Sequence, residues 1–356
     1  MLASEVFFSK VSNHHENQLP FVMYRKPDGI EINGLLQSSD AVFYAENYTE
    51  SGFVFTPFEA LKKGVLIPEE DSEFISTSAN VQSSFQSTSV TVKRESEKEI
   101  HIDLVCKAIE AIKESSLRKI VVSRKEIVET KDLDVLAVFK KLVASYPKAF
   151  CYLWFHPKVG LWMGATPETL LSIYGNRFKT MALAGTQRFL GSTEVLWGEK
   201  EKEEQQMVTD SILQNIESFV KNKSVSEVKS VKAGNLLHLK TDIEGELMDN
   251  NLHGLIKSLH PTPAVCGLPK QDAEKFILEN EGYDRDFYTG FLGELNISKN
   301  NKPDTELFVN LRCMQYLAPS QLQLYVGGGI TKDSVAALEW EETVNKTRTM
   351  LDVLLK

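Results

Sequence analysis

Cysteine is scarce and scattered in this chain. The four, Cys106, Cys151, Cys266 and Cys313, lie far apart in 356 residues and form no CxxC pair. That excludes a disulfide framework and a cysteine-rich zinc site, and it reads as free thiols in a reducing compartment. No apolar run approaches the ~20 residues that span a bilayer. The start, Met1 to Val6, has neither a basic segment nor a long apolar run with a cleavage site. Positive charge is in the minority, 40 Lys and Arg against 49 Asp and Glu, for a net charge of −9. This argues against broad binding to nucleic acid or to an anionic membrane. There is neither a Gly-Lys-Ser/Thr phosphate loop nor a GxGxxG. The expectation is a soluble cytoplasmic protein that acts on a small molecule. If that molecule is an anion, a few lysines, an arginine or a metal must make its site locally positive.

What is present is an ordinary globular composition, 42% hydrophobic and 25% charged, long enough for one large domain or two smaller ones. Residues 1 to about 70 read as strands and hairpins, with turn signals at Pro27-Asp28-Gly29 and Asn33-Gly34. Asp71 to Ser96 is rich in Ser and Thr, without Gly or Pro, and reads as a linker or an exposed strand. Ser96 to Glu99 fits a capping box ahead of a helical stripe of Ile102, Val105, Ile109 and Ile112. Strands are expected at 119–124, 150–155, 170–174, 177–183, 236–244, 288–295, 307–315 and 321–326. Helices are expected at 134–145, 199–220, 250–259, 272–281 and 334–354. The order lacks strict βαβ alternation, so the fold class is α+β, mainly antiparallel sheets with helices packed outside. The division expected is 1–95 as a variable part completing the sheets and 96–356 as the catalytic region.

Several constellations could carry chemistry. His260-Pro261-Thr262-Pro263-Ala264-Val265-Cys266-Gly267 holds two prolines two residues apart, which forbids helix and fixes an extended turn. Such rigidity suits a pocket wall built on the small Ala264, although a plain structural turn reads as well. Glu339, Glu342 and Lys346 share one face of the final helix. Two carboxylates one turn apart can share a hard cation such as Mg2+, while a solvated face with an ion pair is the plainer reading. Gly327-Gly328-Gly329 precedes that helix and reads as a loop whose amides can approach an anion, or as a tight turn. Lys119 opens the apolar strand Ile120-Val121-Val122 and is a candidate base if its ammonium is desolvated. Arg312 sits within an expected apolar strand, where a guanidinium needs a carboxylate from the protein or from a ligand. Glu204 lies in a charge run that on its own reads as exposed helix surface.

Taken in order, these pieces resemble one family. Lys119-Ile-Val-Val-Ser-Arg124, Gly164-Ala-Thr-Pro-Glu168, Leu183-Ala-Gly-Thr186, Glu204, Glu244-Gly245 and His260-Pro-Thr-Pro-Ala264 come first. Leu311-Arg312-Cys313, Gly327-Gly-Gly-Ile330 and Glu339-Trp-Glu-Glu-Thr343 complete the set. Together they are similar to the chorismate-binding domain shared by isochorismate, salicylate, anthranilate and aminodeoxychorismate synthases. The resemblance covers roughly residues 96 to 352.

The resemblance implies a large sandwich of antiparallel sheets with flanking helices and an active site between the layers. It implies Lys119 as the base that activates water to attack C2 of chorismate, and Glu204 as the acid that protonates the departing C4 hydroxyl. Glu244 and Glu342 match Mg2+ ligands, with Glu339 acting through water. Lys346 and the amides of Gly327, Gly328 and Gly329 are implied to hold the ring carboxylate, with His260 nearby. Arg312 and Tyr288 are implied to grip the carboxylate of the enolpyruvyl arm, and Gly185 and Thr186 to line the floor. Ala264 stands where the aminating and lyase members usually carry Thr, which points to the isochorismate-forming branch. Salicylate-forming and aminating activities are the alternatives, together with a non-catalytic chorismate-binding role. Two departures stand out: Gln205 where many relatives carry His, and a short N-terminal part. A monomer without a glutaminase subunit is implied, feeding menaquinone or a siderophore.

Overall fold

The computed structural model describes residues 1–80, 90–92, 95–130, 133–234, 236–249, 251–299 and 302–355. Two ten-stranded sheets, antiparallel throughout, account for the strands of the described residues. The first runs, in spatial order, through Gly267–Leu268, Lys119–Glu129, Gln321–Ile330, Cys313–Ala318, Gly160–Thr166, Phe150–His156, Phe21–Arg25, Glu31–Gln37 and Ser72–Ser78, with Thr91–Val92 as the tenth strand, also paired with Lys119–Glu129. The second runs through Val220–Val225, Leu236–Leu247, Arg177–Arg188, Thr169–Tyr174, Lys302–Val309, Phe291–Lys299, Gly52–Thr56, Gly64–Pro68 and Phe43–Ala45, with Lys229–Ala233 as the tenth strand, also paired with Leu236–Leu247. The first 95 residues therefore supply strands to both sheets. The α+β class holds.

The strand Phe150–His156 shows how sequence sets the layers. All seven of its residues are buried. Phe150, Tyr152 and Trp154 face the aromatic core between the sheets, with Phe55, Trp162 and Phe308. Cys151, Leu153 and Phe155 face the outer core, against helices Ser4–Glu16 and Val135–Ser145. A strand covered on both faces reads as a continuous apolar run. Asp134 starts the second of those helices by accepting from the amides of Leu136 and Ala137, both at 3.0 Å.

The structure departs from the sequence reading in several places. Residues 4–16 form a helix, because Phe7, Phe8 and Val11 make a buried helical stripe. Asn33-Gly34 lies inside a strand, paired with Tyr24 and Met23. The capping box at 96–99 falls within a helix that begins at Glu95, and the Ser96 side chain lies outside the described residues, as do 81–89 of the Ser/Thr stretch. The helix expected to reach Val220 ends at Asn215, and Tyr288–Gly290 forms a turn before the strand that starts at Phe291.

Two departures bear on the site. The expected strand 307–315 is broken at Asn310-Leu311-Arg312, where the chain leaves the second sheet at Val309 and joins the first at Cys313. The crossing stays within the core, where Asn310 is fully buried, and Arg312 takes φ +49° there. The triple glycine is no loop: Gly327, Gly328 and Gly329 continue a strand and pair with Ser123, Val122 and Val121. A Cβ at Gly329 would stand 2.9 Å from both Glu204 Oε1 and Lys119 Cε. The missing side chains make room for functional ones.

Candidate active site

A pocket opens in the cleft between the sheets, lined by both layers and by two helices. The first sheet contributes Lys119 and Val121 and, from the adjacent strand, Gly327 to Gly329. The second contributes Leu183, Ala184, Gly185, Thr186 and His238. Helix Glu199–Asn215 brings Lys200, Glu201 and Glu204, and the final helix, Ala336–Leu355, brings Glu342 and Lys346. Gly185 has φ +64°, a conformation open to glycine, and turns the chain where helix residue Glu201 packs close. The cavity itself is about 100 Å³, below the roughly 300–1,000 Å³ usual for small-molecule sites, with three lysine–carboxylate pairs gathered around it.

Those pairs dominate the electrostatics. Lys119 Nζ lies 2.7 Å from Glu204 Oε1, Lys200 Nζ 3.1 Å from Glu339 Oε1, and Lys346 Nζ 2.6 Å from Glu342 Oε1. Lys346 also donates to the carbonyl of Gly327 at 3.0 Å. Burial opposes the charge on Glu342, but Lys346, Lys200 and Arg312 outweigh it and hold the carboxyl below its ordinary range. Burial likewise works against the Lys200 ammonium, and Glu339, Glu204 and Glu342 outweigh it and raise its pKa.

Among the described residues Arg312 and Glu168 face this cluster without a partner at ion-pair distance. Among the described residues no carboxylate lies within ion-pair distance of the Arg312 guanidinium, and burial lowers its pKa against the pull of Tyr288, Glu342 and Glu168. A half-buried cation of this kind at a pocket wall is set up for an anionic ligand. Glu168 is 3% exposed. Burial pushes its pKa up to about 7, against the opposing pull of Lys119, Thr262 and Arg312. Thr262 Oγ1 approaches Glu168 Oε1 at 3.5 Å. Glu168 thus holds a proton near neutrality, in a pocket otherwise rich in cations.

Of the residues singled out from sequence, Lys119, Gly185, Thr186, Glu204, Ala264, Tyr288, Arg312, Gly327, Gly328, Gly329, Glu342 and Lys346 line one pocket. Glu339 stands just behind the lining, reaching it through Lys200. Two residues are not brought there. Glu244 lies on the outer face of its strand, its side chain 54% exposed and paired with Lys179 at 2.8 Å. His260 is buried against Phe291, and its Nε2 is 3.1 Å from the carbonyl oxygens of Pro57 and Phe58. Burial first, then Lys270, lowers its pKa to about 4, so it is a neutral strut holding the following turn.

Sequence reasoning gave no role to Glu168, Lys200 or His238. Glu168 stood in a quoted motif, and its signal is a lone carboxylate between Pro167 and the apolar run Leu170-Leu171. His238 interrupts the apolar Leu236-Leu237-His238-Leu239. Its Nδ1 is 2.8 Å from the Gly185 carbonyl, and burial lowers its pKa to about 3. It is a neutral ring at the pocket wall.

Among the described residues no three His, Cys, Asp or Glu side chains stand together as a formed metal site. The donor chemistry nevertheless suits a hard divalent cation. Glu204, Glu339 and Glu342 are all-oxygen donors; Lys200 pairs with Glu339, and the charges of all three raise its pKa.

A family model described as "Chorismate binding enzyme" matches residues 55–355. Isochorismate synthase EntC of Escherichia coli K12 is 32% identical over 249 residues, 66% of this chain and 62% of that protein. Isochorismate synthase DhbC of Bacillus subtilis is 34% identical over 200 residues, 53% of this chain and 49% of that protein. The matched stretch therefore spans less than two thirds of the length of these relatives. Among solved structures, MenF of Escherichia coli, described as a menaquinone-specific isochorismate synthase, superposes with a TM-score of 0.78 at 20% identity, covering 94% of this chain and 88% of that one. Anthranilate synthase component I of Streptococcus pneumoniae gives 0.68 at 17% identity, covering 93% and 89%. At such identities the superpositions speak for the fold alone. No helix of the described residues is long and apolar enough to cross a membrane.

Proposed function

This chain belongs to the family of chorismate-binding enzymes, and on that premise we propose that it is a Mg2+-dependent isochorismate synthase. The observation that carries the reading is the pocket itself: a deeply buried carboxyl, Glu168, faces a lysine, Lys119, beside a guanidinium, Arg312, that has no carboxylate at ion-pair distance among the described residues. The relatives named isochorismate synthases support the choice of product. So does the position of the methyl of Ala264 in the pocket wall, where no hydroxyl is offered to the enolpyruvyl arm.

Arg312 and Tyr288 take the carboxylate of the enolpyruvyl arm, and Lys346 takes that of the ring. Lys119 removes a proton from a water as its oxygen bonds to C2. The two ring double bonds shift, the C4–O bond breaks, and Glu168 protonates the departing hydroxyl, which leaves as water. The acid is assigned to Glu168 in place of Glu204 because a carboxylate ion-paired to a lysine has no proton to give, whereas a desolvated carboxyl near pKa 7 has one at the right strength. An ammonium cannot accept a proton, so Lys119 must enter turnover as the neutral amine, freed from Glu204 and with its own proton already passed to solvent. Glu204, Glu339 and Glu342 would hold Mg2+, which when bound supplies charge to neutralise and orient the ring carboxylate. Glu244, turned to solvent, is left out of that set.

The test is to incubate the purified protein with chorismate and Mg2+, with and without ammonium, and separate the products against an EDTA control. Isochorismate alone, insensitive to ammonium and lost with EDTA, supports the reading. Salicylate with pyruvate, or an aminated product, overturns it in favour of another branch of the family.

A further inference from the structure

Directly behind the pocket wall, and outside the pocket, lies a buried ion pair that the chemistry above does not use. Glu281 and Arg285, at the end of helix Lys270–Asn280 and in the turn after it, have side chains 1% and 2% exposed. Arg285 Nε donates to Glu281 Oε2 at 2.7 Å, and Nη2 donates to Glu281 Oε1. The same guanidinium donates to the carbonyl of Val121 at 2.7 Å, to that of Val265 at 3.0 Å and to Thr289 Oγ1 at 3.2 Å. It lies 4.5 Å over the ring of Phe58. Glu281 accepts from the amide of Ser123 at 2.7 Å and from its hydroxyl at 3.0 Å.

The arrangement has a topological reason. On one edge the Lys119 strand is paired along its length by Gln321–Ile330. On the other, among the described residues, the two-residue strand Gly267–Leu268 pairs with Ile120 and Lys119, and the next strand partner is at Val128. The ion pair takes over where that neighbour stops, meeting the carbonyl of Val121 and the amide of Ser123. A buried ion pair adds little net stability on its own. This one supplies backbone hydrogen bonds that no apolar replacement could make. It also ties together three separate pocket walls, the Lys119–Val121 strand, the Ala264–Val265 turn and the Tyr288–Thr289 turn.

We propose that Glu281 and Arg285 are a positioning pair for the reaction, setting the spacing of Lys119, Ala264 and Tyr288 around the substrate. This rests on the isochorismate synthase reading for its kinetics, but not for its structural content. Arg285→Lys keeps a charge for Glu281, yet an ammonium cannot span Glu281, two carbonyls and Thr289 as a planar fork does. Glu281→Asp keeps the charge and draws the carboxylate away from Ser123, and it serves if the first variant fails to fold.

The expected result, per folded molecule, is a kcat lower by roughly 100-fold, as about 1 Å of misplacement costs, with the Kd for chorismate changed by less than about threefold. Amide exchange at Ser123 should quicken by at least about tenfold without global unfolding. A folded variant with wild-type kcat overturns the proposal, as does a loss of kcat that only tracks the folded fraction, or unchanged exchange at Ser123. If the wild-type protein binds chorismate without turning it over, the functional reading fails, and the exchange comparison still decides the role of the pair.

Discussion

Replacing Glu168 by Gln separates two consequences of burying a carboxyl among cations. The side chain keeps its shape and its contact with Thr262, but it can no longer ionise or donate the proton. In the wild-type protein burial raises the pKa from 4.5 to about 7, a difference worth about 3 kcal/mol. The folded state therefore binds this proton more tightly than the unfolded chain. The associated stability is complete below pH 4.5 and is lost as pH rises through about 7. Gln carries no such dependence. Urea unfolding at pH 4.5, 6 and 8 should find the variant matching wild type at the lowest pH and exceeding it by about 3 kcal/mol at the highest. Over the same series kcat should fall by about 10²- to 10⁴-fold, as removal of a general acid does, and wild-type kcat should decline above about pH 7. A stability difference that ignores pH, or a variant with undiminished kcat, refutes the assignment of the acid.

Four further substitutions bear on the other roles. Lys119→Ala should abolish turnover and leave chorismate binding, measured calorimetrically with Mg2+ present, within about tenfold of wild type; retained turnover would remove Lys119 as the base. Glu342→Gln should shift the Mg2+ titration of activity to concentrations at least about tenfold higher, whereas Glu244→Gln, altering an exposed pair with Lys179, should leave it in place. A reversal of that order would return Glu244 to the site. Ala264→Thr should add pyruvate release, read by a coupled lactate dehydrogenase assay, and a variant that makes isochorismate alone would deny Ala264 its part in product choice.

Much of the layered fold is legible because buried strands such as Phe150–His156 write their two-sided burial as an unbroken apolar run. The crossing at Asn310-Leu311-Arg312 is harder to see, since two isolated polar residues in an otherwise apolar stretch come with no Gly or Pro to mark a turn. The triple glycine looks like a loop because composition alone cannot tell flexibility from clearance; at Gly329 the clearance is for Lys119 and Glu204. The two misplaced carboxylates follow from strand geometry. Glu244 is flanked by the buried Ile243, and in a strand adjacent side chains face opposite ways, so one residue decides between core and solvent. Glu168 belongs to a short polar break between strands 160–166 and 169–174, where only the tertiary structure turns the side chain into the cleft. The Glu281–Arg285 pair could be seen as an i,i+4 spacing, but the three walls it joins lie more than a hundred residues apart in part, beyond the reach of local pattern.

The central claim is that Lys119 and Glu168 drive attack of a solvent water at C2 with loss of the C4 hydroxyl, and oxygen labelling tests it most directly. The reaction is run on chorismate and Mg2+ in water enriched in ¹⁸O, and the isochorismate is analysed by mass spectrometry early in turnover. The account predicts one labelled oxygen, located in the new hydroxyl at the carbon that was C2 of chorismate. Unlabelled isochorismate, its hydroxyl carried over from C4, would contradict it.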